Sequence, residues 1–93
     1  MERRVLSDEE IASELKKLDG WHVENGKLVR RYKFANFAES LAFVNRVGEI
    51  AEAADHHPDI TFGWGYAEIA TTTHDRGGVT DVGLALAERI NRL

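Results

Sequence analysis

Residues 21–34 read WHVENGKLVRRYKF, and this stretch decides the fold class because it encodes a β-hairpin. Asn25 and Gly26 supply the two residues with positive φ that a type I′ turn requires. Residues 27–34 then alternate in the manner of a strand. The side chains expected on its apolar face are Leu28, Tyr32 and Phe34. The chain therefore contains at least one antiparallel pair of strands.

Helical patterns lie on both sides of this hairpin. Upstream, residues 7–10 form a capping box, and apolar residues at helical spacing predict a helix to about Leu18. Downstream, Asn36 caps a long helix that should end near His56, because Pro58 disfavours helical geometry at the residue before it. The apolar residues expected to give this helix most of the core are Phe37, Leu41, Val44 and Ala51, widened by Phe43, Val47, Ile50 and Ala54.

A second hairpin and a last helix complete the pattern. Residues 59–64 and 66–73 alternate like strands, with Gly63 and Gly65 marking a turn between them. Thr80 caps a final helix whose predicted apolar stripe is Val82, Leu86, Ile90 and Leu93. The order α-β-β-α-β-β-α predicts an α+β fold, a four-stranded antiparallel sheet with three helices packed on one face. We expect residues 1–93 to form one domain.

Composition narrows the possible functions. The chain has 93 residues and no cysteine, which excludes a disulfide framework and a cysteine nucleophile. Its 16 acidic and 12 basic residues give a formal charge of −4, which argues against binding nucleic acid or an anionic membrane. No targeting segment or membrane helix is visible, so we expect a cytoplasmic protein. A chain this short has a modest core, which favours an oligomer.

Three of the four histidines lie in one constellation. Glu52 and His56 would share a helix face if the helix reached His56, and His57 and Pro58 follow directly. If Gly65-Tyr66 forms a two-residue turn, His57 lies opposite His74 on the neighbouring strand. A turn centred on Trp64 would shift this pairing by a few residues. Either way, the spacing predicts that the three histidines converge at the open end of the hairpin.

Such a cluster suits proton transfer. Histidine titrates nearest neutral pH, and two or three histidines around one pocket can supply an acid and a base together, as elimination of water requires. The alternatives are structural histidines, or a zinc or non-haem iron site that includes Glu52. Against a metal site, adjacent side chains such as those of His56 and His57 diverge. Trp64 could stack on a flat ligand, although an aromatic side chain in a strand is more often in the core.

The pattern resembles the pterin-4a-carbinolamine dehydratase family. The resemblance rests on Glu52, on His56-His57-Pro58 and on Thr73-His74, with fourteen residues between Pro58 and Thr73, and with supporting likeness over most of the chain. It implies the same fold, assembled as a homodimer or homotetramer. It also implies dehydration of 4a-hydroxytetrahydrobiopterin to the quinonoid dihydropterin, without a cofactor or metal.

The resemblance also implies roles for single residues. His56, His57 and His74 would be catalytic, with His56 and His74 as the acid–base pair and His57 orienting the pterin. The pterin site would be lined by Glu52, Pro58, Thr73, Asp75 and Arg76, with Trp64 as a further candidate.

The chain departs from the family in its last helix. Family members usually carry an acidic residue where this chain has Gly83, and Asp81 is the nearest substitute. The resemblance also implies an alternative, because animal relatives act as dimerisation partners of a transcription factor. A non-catalytic interaction module is therefore the second hypothesis.

Overall fold

The computed structural model describes residues 5–71 and 79–93, which fold as an α+β unit. The element order is the one that the sequence predicts. Its helices and strands are α1 (Asp8–Leu15), β1 (His22–Glu24), β2 (Lys27–Lys33), α2 (Phe37–Ala54), β3 (Asp59–Gly63), β4 (Tyr66–Thr71) and α3 (Asp81–Asn91).

The four strands form one antiparallel sheet in the order β1-β2-β4-β3. The core lies between the inner face of this sheet and the helices, and at its centre Leu28, Val47 and Ile69 are fully buried. The α+β prediction, with three helices on one face of the sheet, is confirmed. The first hairpin also forms as predicted, since Asn25 and Gly26 have φ of 52° and 75°.

The first helix begins as predicted but ends early. Ser7 and Glu10 make the reciprocal bonds of the capping box. The predicted end at Leu18 is wrong, because α1 stops at Leu15. The amides of Lys17 and Leu18 bond to carbonyl groups three residues back, which tightens the last turn and ends the α-helical pattern.

Two of the predicted apolar stripes differ from the helix faces that the structure buries. In α2, Val47 and Ala51 are buried and Phe43, Ile50 and Ala54 pack against the core, whereas Phe37 and Leu41 are exposed. In α3, Leu86 and Ile90 are buried as predicted, but Leu84 and Ala87 replace Val82 and Leu93 on the inner face. The predicted stripe of α2 is therefore wider than its buried face, whereas that of α3 is displaced from its buried face.

The turn of the second hairpin sets a register that differs from the predicted one. Gly63 pairs with Tyr66, so Trp64 and Gly65 form the turn, and Asp59 pairs with Ala70 instead of Thr72. Gly65 has a φ of 77°, a conformation that glycine adopts without steric cost. The turn therefore lies one residue earlier than the predicted two-residue turn, which was placed on Gly65 and Tyr66.

A polar cluster that the sequence did not reveal joins the end of α3 to the sheet. The Asn91 Oδ1 atom accepts hydrogen bonds from Trp21 Nε1, at 2.8 Å, and from Arg30 Nη1. Arg30 also donates to the carbonyl of Asp19, and its guanidinium group lies over the Tyr32 ring. Burial raises the pKa of the Tyr32 phenol above its ordinary value, and the Arg30 charge opposes this shift. Trp21 is buried.

No helix in the described part of the chain has both the length and the apolar character to cross a membrane.

Candidate active site

The candidate site is built at the junction between α2 and β3. The helix ends at Ala54, and Asp55 adopts a left-handed conformation with φ 51° and ψ 42°. The amide of His56 then bonds back to the carbonyl of Ala51. Pro58 follows before β3 begins. The reversal at Asp55 thus sends the next two side chains, His56 and His57, to different surroundings.

His56 points into the protein. It is 5% exposed, and its Nε2 atom lies 2.9 Å from the Oγ1 atom of Thr71 at the end of β4. Thr71 is 1% exposed. Sequence reasoning did not single out Thr71, although it has the same strand parity as the buried Ala67 and Ile69. That parity is the signal that could have found it.

His57 points outward and pairs with the carboxylate of Glu52. The distance from His57 Nε2 to Glu52 Oε1 is 2.9 Å, and the side chains are 56% and 80% exposed. The condition for Glu52 to share a helix face with His56 is not met, because α2 ends at Ala54, before His56. Glu52 instead reaches the second histidine, which the left-handed residue turns back over the last helical turn.

An open cleft of about 760 Å³ lies beside this pair. Its walls include Glu52, His57 and Pro58, together with residues of α2 and the start of β3, namely Asn45, Gly48, Glu49, Ala51 and Ile60. The cleft therefore brings carboxylate and amide oxygens and one imidazole to a surface that a small polar ligand could reach.

The helix α3 closes the inner side of the junction through Gly83. A Cβ atom added there would lie 3.8 Å from His56 Nε2 and 3.7 Å from Thr71 Oγ1. Position 83 therefore faces His56. Asp81 lines a separate groove between α1 and α3, and its Oδ1 atom accepts from the Val82 amide. Its placement gives no support to the expectation that Asp81 substitutes for an acidic residue at 83.

The remaining expected site residues fall into two groups. Thr73, His74, Asp75 and Arg76 lie outside the described residues. Trp64 is 71% exposed in the turn at the far end of β3, roughly 20 Å along the strand from His57. It is therefore not a core residue, and it is too distant to share the cleft with His57 of the same chain. His22 is exposed and pairs with Glu24.

Within residues 5–71 and 79–93, no three His, Asp or Glu side chains are grouped closely enough to hold one metal ion. The two adjacent histidines contact different partners, Thr71 and Glu52. The two imidazole rings therefore lie in different surroundings.

Comparison with known proteins assigns the chain to a family. The family model for pterin 4 alpha carbinolamine dehydratase matches residues 4–93. The chain belongs to this family. Similar curated proteins, provisionally named pterin-4-alpha-carbinolamine dehydratase, occur in Thermomicrobium roseum and Metallosphaera sedula. They are 48% and 46% identical over 95% of this chain, covering 95% and 92% of the relatives.

Solved structures agree on the fold. A transcriptional coactivator/pterin dehydratase from Brucella melitensis is 27% identical, with a TM-score of 0.90 over 96% of this chain and 97% of that one. A pterin dehydratase-like protein, described as a RuBisCO assembly factor in the alpha-carboxysome, is 25% identical. Its TM-score is 0.62, over 77% of this chain and 83% of that one. The dehydratase family thus includes relatives to which other roles are ascribed.

Proposed function

We propose that this protein is a hydro-lyase that dehydrates 4a-hydroxytetrahydrobiopterin to the quinonoid dihydropterin, in support of aromatic amino acid hydroxylation. The observation that carries the proposal is the junction between α2 and β3, where two adjacent histidines follow the end of the helix. His56 is hydrogen-bonded to Thr71, and His57 is hydrogen-bonded to Glu52. Membership of the dehydratase family supports the choice of substrate. We further propose that the reaction takes place in the cytoplasm.

The proposed reaction breaks the bond between C4a and its hydroxyl oxygen. An acid protonates the departing hydroxyl, which leaves as water, and a base removes the proton from N5. The electron pair of that N–H bond then forms the C4a=N5 double bond. Imidazole suits both steps because it gives and takes a proton near neutral pH. No electron acceptor or donor is needed, so the proposal requires no cofactor.

We assign His56 and His74 to the acid–base pair and His57 to binding and orienting the pterin. The exposed edge of His57, beside the cleft, is accessible to a ligand, and Glu52 holds its ring in one orientation. Pro58 would shape the cleft, and Thr73, Asp75 and Arg76 would complete it. We leave Trp64 and Asp81 out of the assignment because they lie elsewhere on the chain.

The direct test is a dehydration assay with synthetic 4a-hydroxytetrahydropterin. We expect the purified protein to accelerate the reaction at neutral pH, and we expect a chelator to leave the rate unchanged. Loss of the rate on chelation and its return with zinc would favour a metal site instead. A folded protein that gives no acceleration would favour the non-catalytic module, and the proposed function would then be wrong.

We also propose that the chain works as a homodimer or homotetramer. Phe37 and Leu41, one turn apart on α2, expose 45% and 40% of their surface, and the outer face of the sheet carries no described helix. Apolar surface of this kind is often covered by a partner. Light scattering in solution should therefore give two or four times the mass of one chain. A concentration-independent monomer would contradict the proposal.

A further inference from the structure

A buried hydroxyl group lies against the ring of His56. Thr71 is 1% exposed, at the last position of β4. A buried hydroxyl is costly unless it is hydrogen-bonded. No buried side-chain nitrogen or oxygen in the described ranges lacks a partner. For Thr71 the partner is His56 Nε2 at 2.9 Å, so the hydroxyl and the imidazole satisfy each other.

The helix α3 also borders this pair, at Gly83. Gly83 of α3 faces both groups, since an added Cβ would meet Thr71 Oγ1 and His56 Nε2 at ordinary contact distance. The Gly83 amide donates to Thr80 Oγ1, the N-cap of the helix. Position 83, which has no side chain, therefore bounds the pair, and Thr71 supplies a polar contact at Nε2 from the sheet.

A hydroxyl partner has a chemical consequence that a carboxylate partner would not have. A hydroxyl both donates and accepts, whereas an ionised carboxylate only accepts. The bond between Thr71 and His56 can therefore persist when Nε2 carries a proton and when it does not. A ring that takes up and releases a proton would keep its orientation throughout the cycle.

We propose that Thr71 is a positioning residue for the dehydration reaction, its hydroxyl fixing the ring of His56 from the sheet, on the side where Gly83 of α3 borders the pair. The proposal rests on the proposed function where it concerns the rate. The hydrogen bond itself can be tested without any activity.

The experiment compares Thr71→Val, which keeps the shape but lacks the hydroxyl, with Thr71→Ser, which restores it. Thr61→Val is the matched control, because Thr61 is an exposed threonine on the neighbouring strand β3. We expect Thr71→Val to lower kcat roughly tenfold, with KM changed by less than about twofold, as for loss of one orienting hydrogen bond. Thr71→Ser and Thr61→Val should stay within about twofold of the unmodified rate.

A spectroscopic measurement separates positioning from mere packing. The ring nitrogen chemical shifts of His56, read from two-bond proton–nitrogen spectra, should change in Thr71→Val and not in Thr71→Ser or Thr61→Val. In the unmodified protein, the Thr71 hydroxyl proton should exchange slowly and show a nuclear Overhauser effect to the His56 ring. This last measurement needs only the unmodified protein, so it does not depend on whether any variant folds.

The outcomes distinguish the two proposals. Unchanged ring shifts and unchanged kcat in a folded Thr71→Val protein would overturn the positioning role, as would the lack of the Overhauser effect. If the unmodified protein has no dehydratase activity, the proposed function is wrong. The positioning role in that reaction then falls with it, while the spectra still decide whether the hydrogen bond holds the ring.

Discussion

Replacing His56 by alanine should lower the dehydration rate by about 10²–10⁴-fold, the range by which a positioned acid or base accelerates proton transfer. The effect should fall on kcat, because the role proposed for His56 is to move a proton in the transition state, whereas binding of the pterin is assigned to His57. We expect His74→Ala to have a loss of similar size. His57→Ala should mainly raise KM, because its exposed ring lies beside the cleft.

The control for these variants is His22→Ala. His22 is exposed and pairs only with its neighbour Glu24 among the described contacts, so the rate should be unchanged. Because His56 is buried, His56→Gln should be measured beside His56→Ala, since it fills the space and cannot act as an acid or base. Thermal unfolding of each variant shows whether the fold survives. Rates within a few-fold of the unmodified protein in a folded His56→Gln would remove His56 from the acid–base pair.

Local signals in the sequence were sufficient for the architecture. Asn25-Gly26 predicted the first turn because type I′ geometry requires two positive φ values, and the structure has both. The caps at Ser7, Asn36 and Thr80 predicted three helix starts, since their side chains satisfy amides that would otherwise lack a partner. These features depend on a few neighbouring residues, so no knowledge of the tertiary packing was needed.

The site was predicted less completely because its geometry depends on two backbone details. The left-handed conformation of Asp55 ends α2 early and directs Glu52 to His57 instead of His56. The position of Gly65 in its turn shifts the pairing of β3 with β4 by two residues. Neither detail follows from residue type alone, since aspartate is only an occasional left-handed residue and the sequence allowed both a turn on Gly65-Tyr66 and one centred on Trp64. The partnership of His56 with Thr71 depends on both details.

The apolar stripe of α3 gives the test with the largest expected effect on stability. The sequence assigns Leu86 and Leu93 to one buried stripe, but Leu86 is 1% exposed and Leu93 is 40% exposed just beyond the end of the helix. The same substitution at the two positions therefore separates the predicted stripe from the observed core. Both changes remove the same atoms and leave the candidate site residues in place.

Leu86→Ala should lower the free energy of unfolding by about 2–5 kcal/mol, because it removes a buried side chain and leaves a cavity in the core that joins α3 to the sheet. Leu93→Ala should cost less than about 1 kcal/mol, as for a largely exposed position. Since 1 kcal/mol moves the Tm of a domain this size by about 4–8 °C, Leu86→Ala should lower the Tm by roughly 10 °C or more. Urea unfolding at one protein concentration measures both variants. Equal losses at the two positions would mean that the end of α3 packs into the core as the sequence stripe predicts, contrary to the structure.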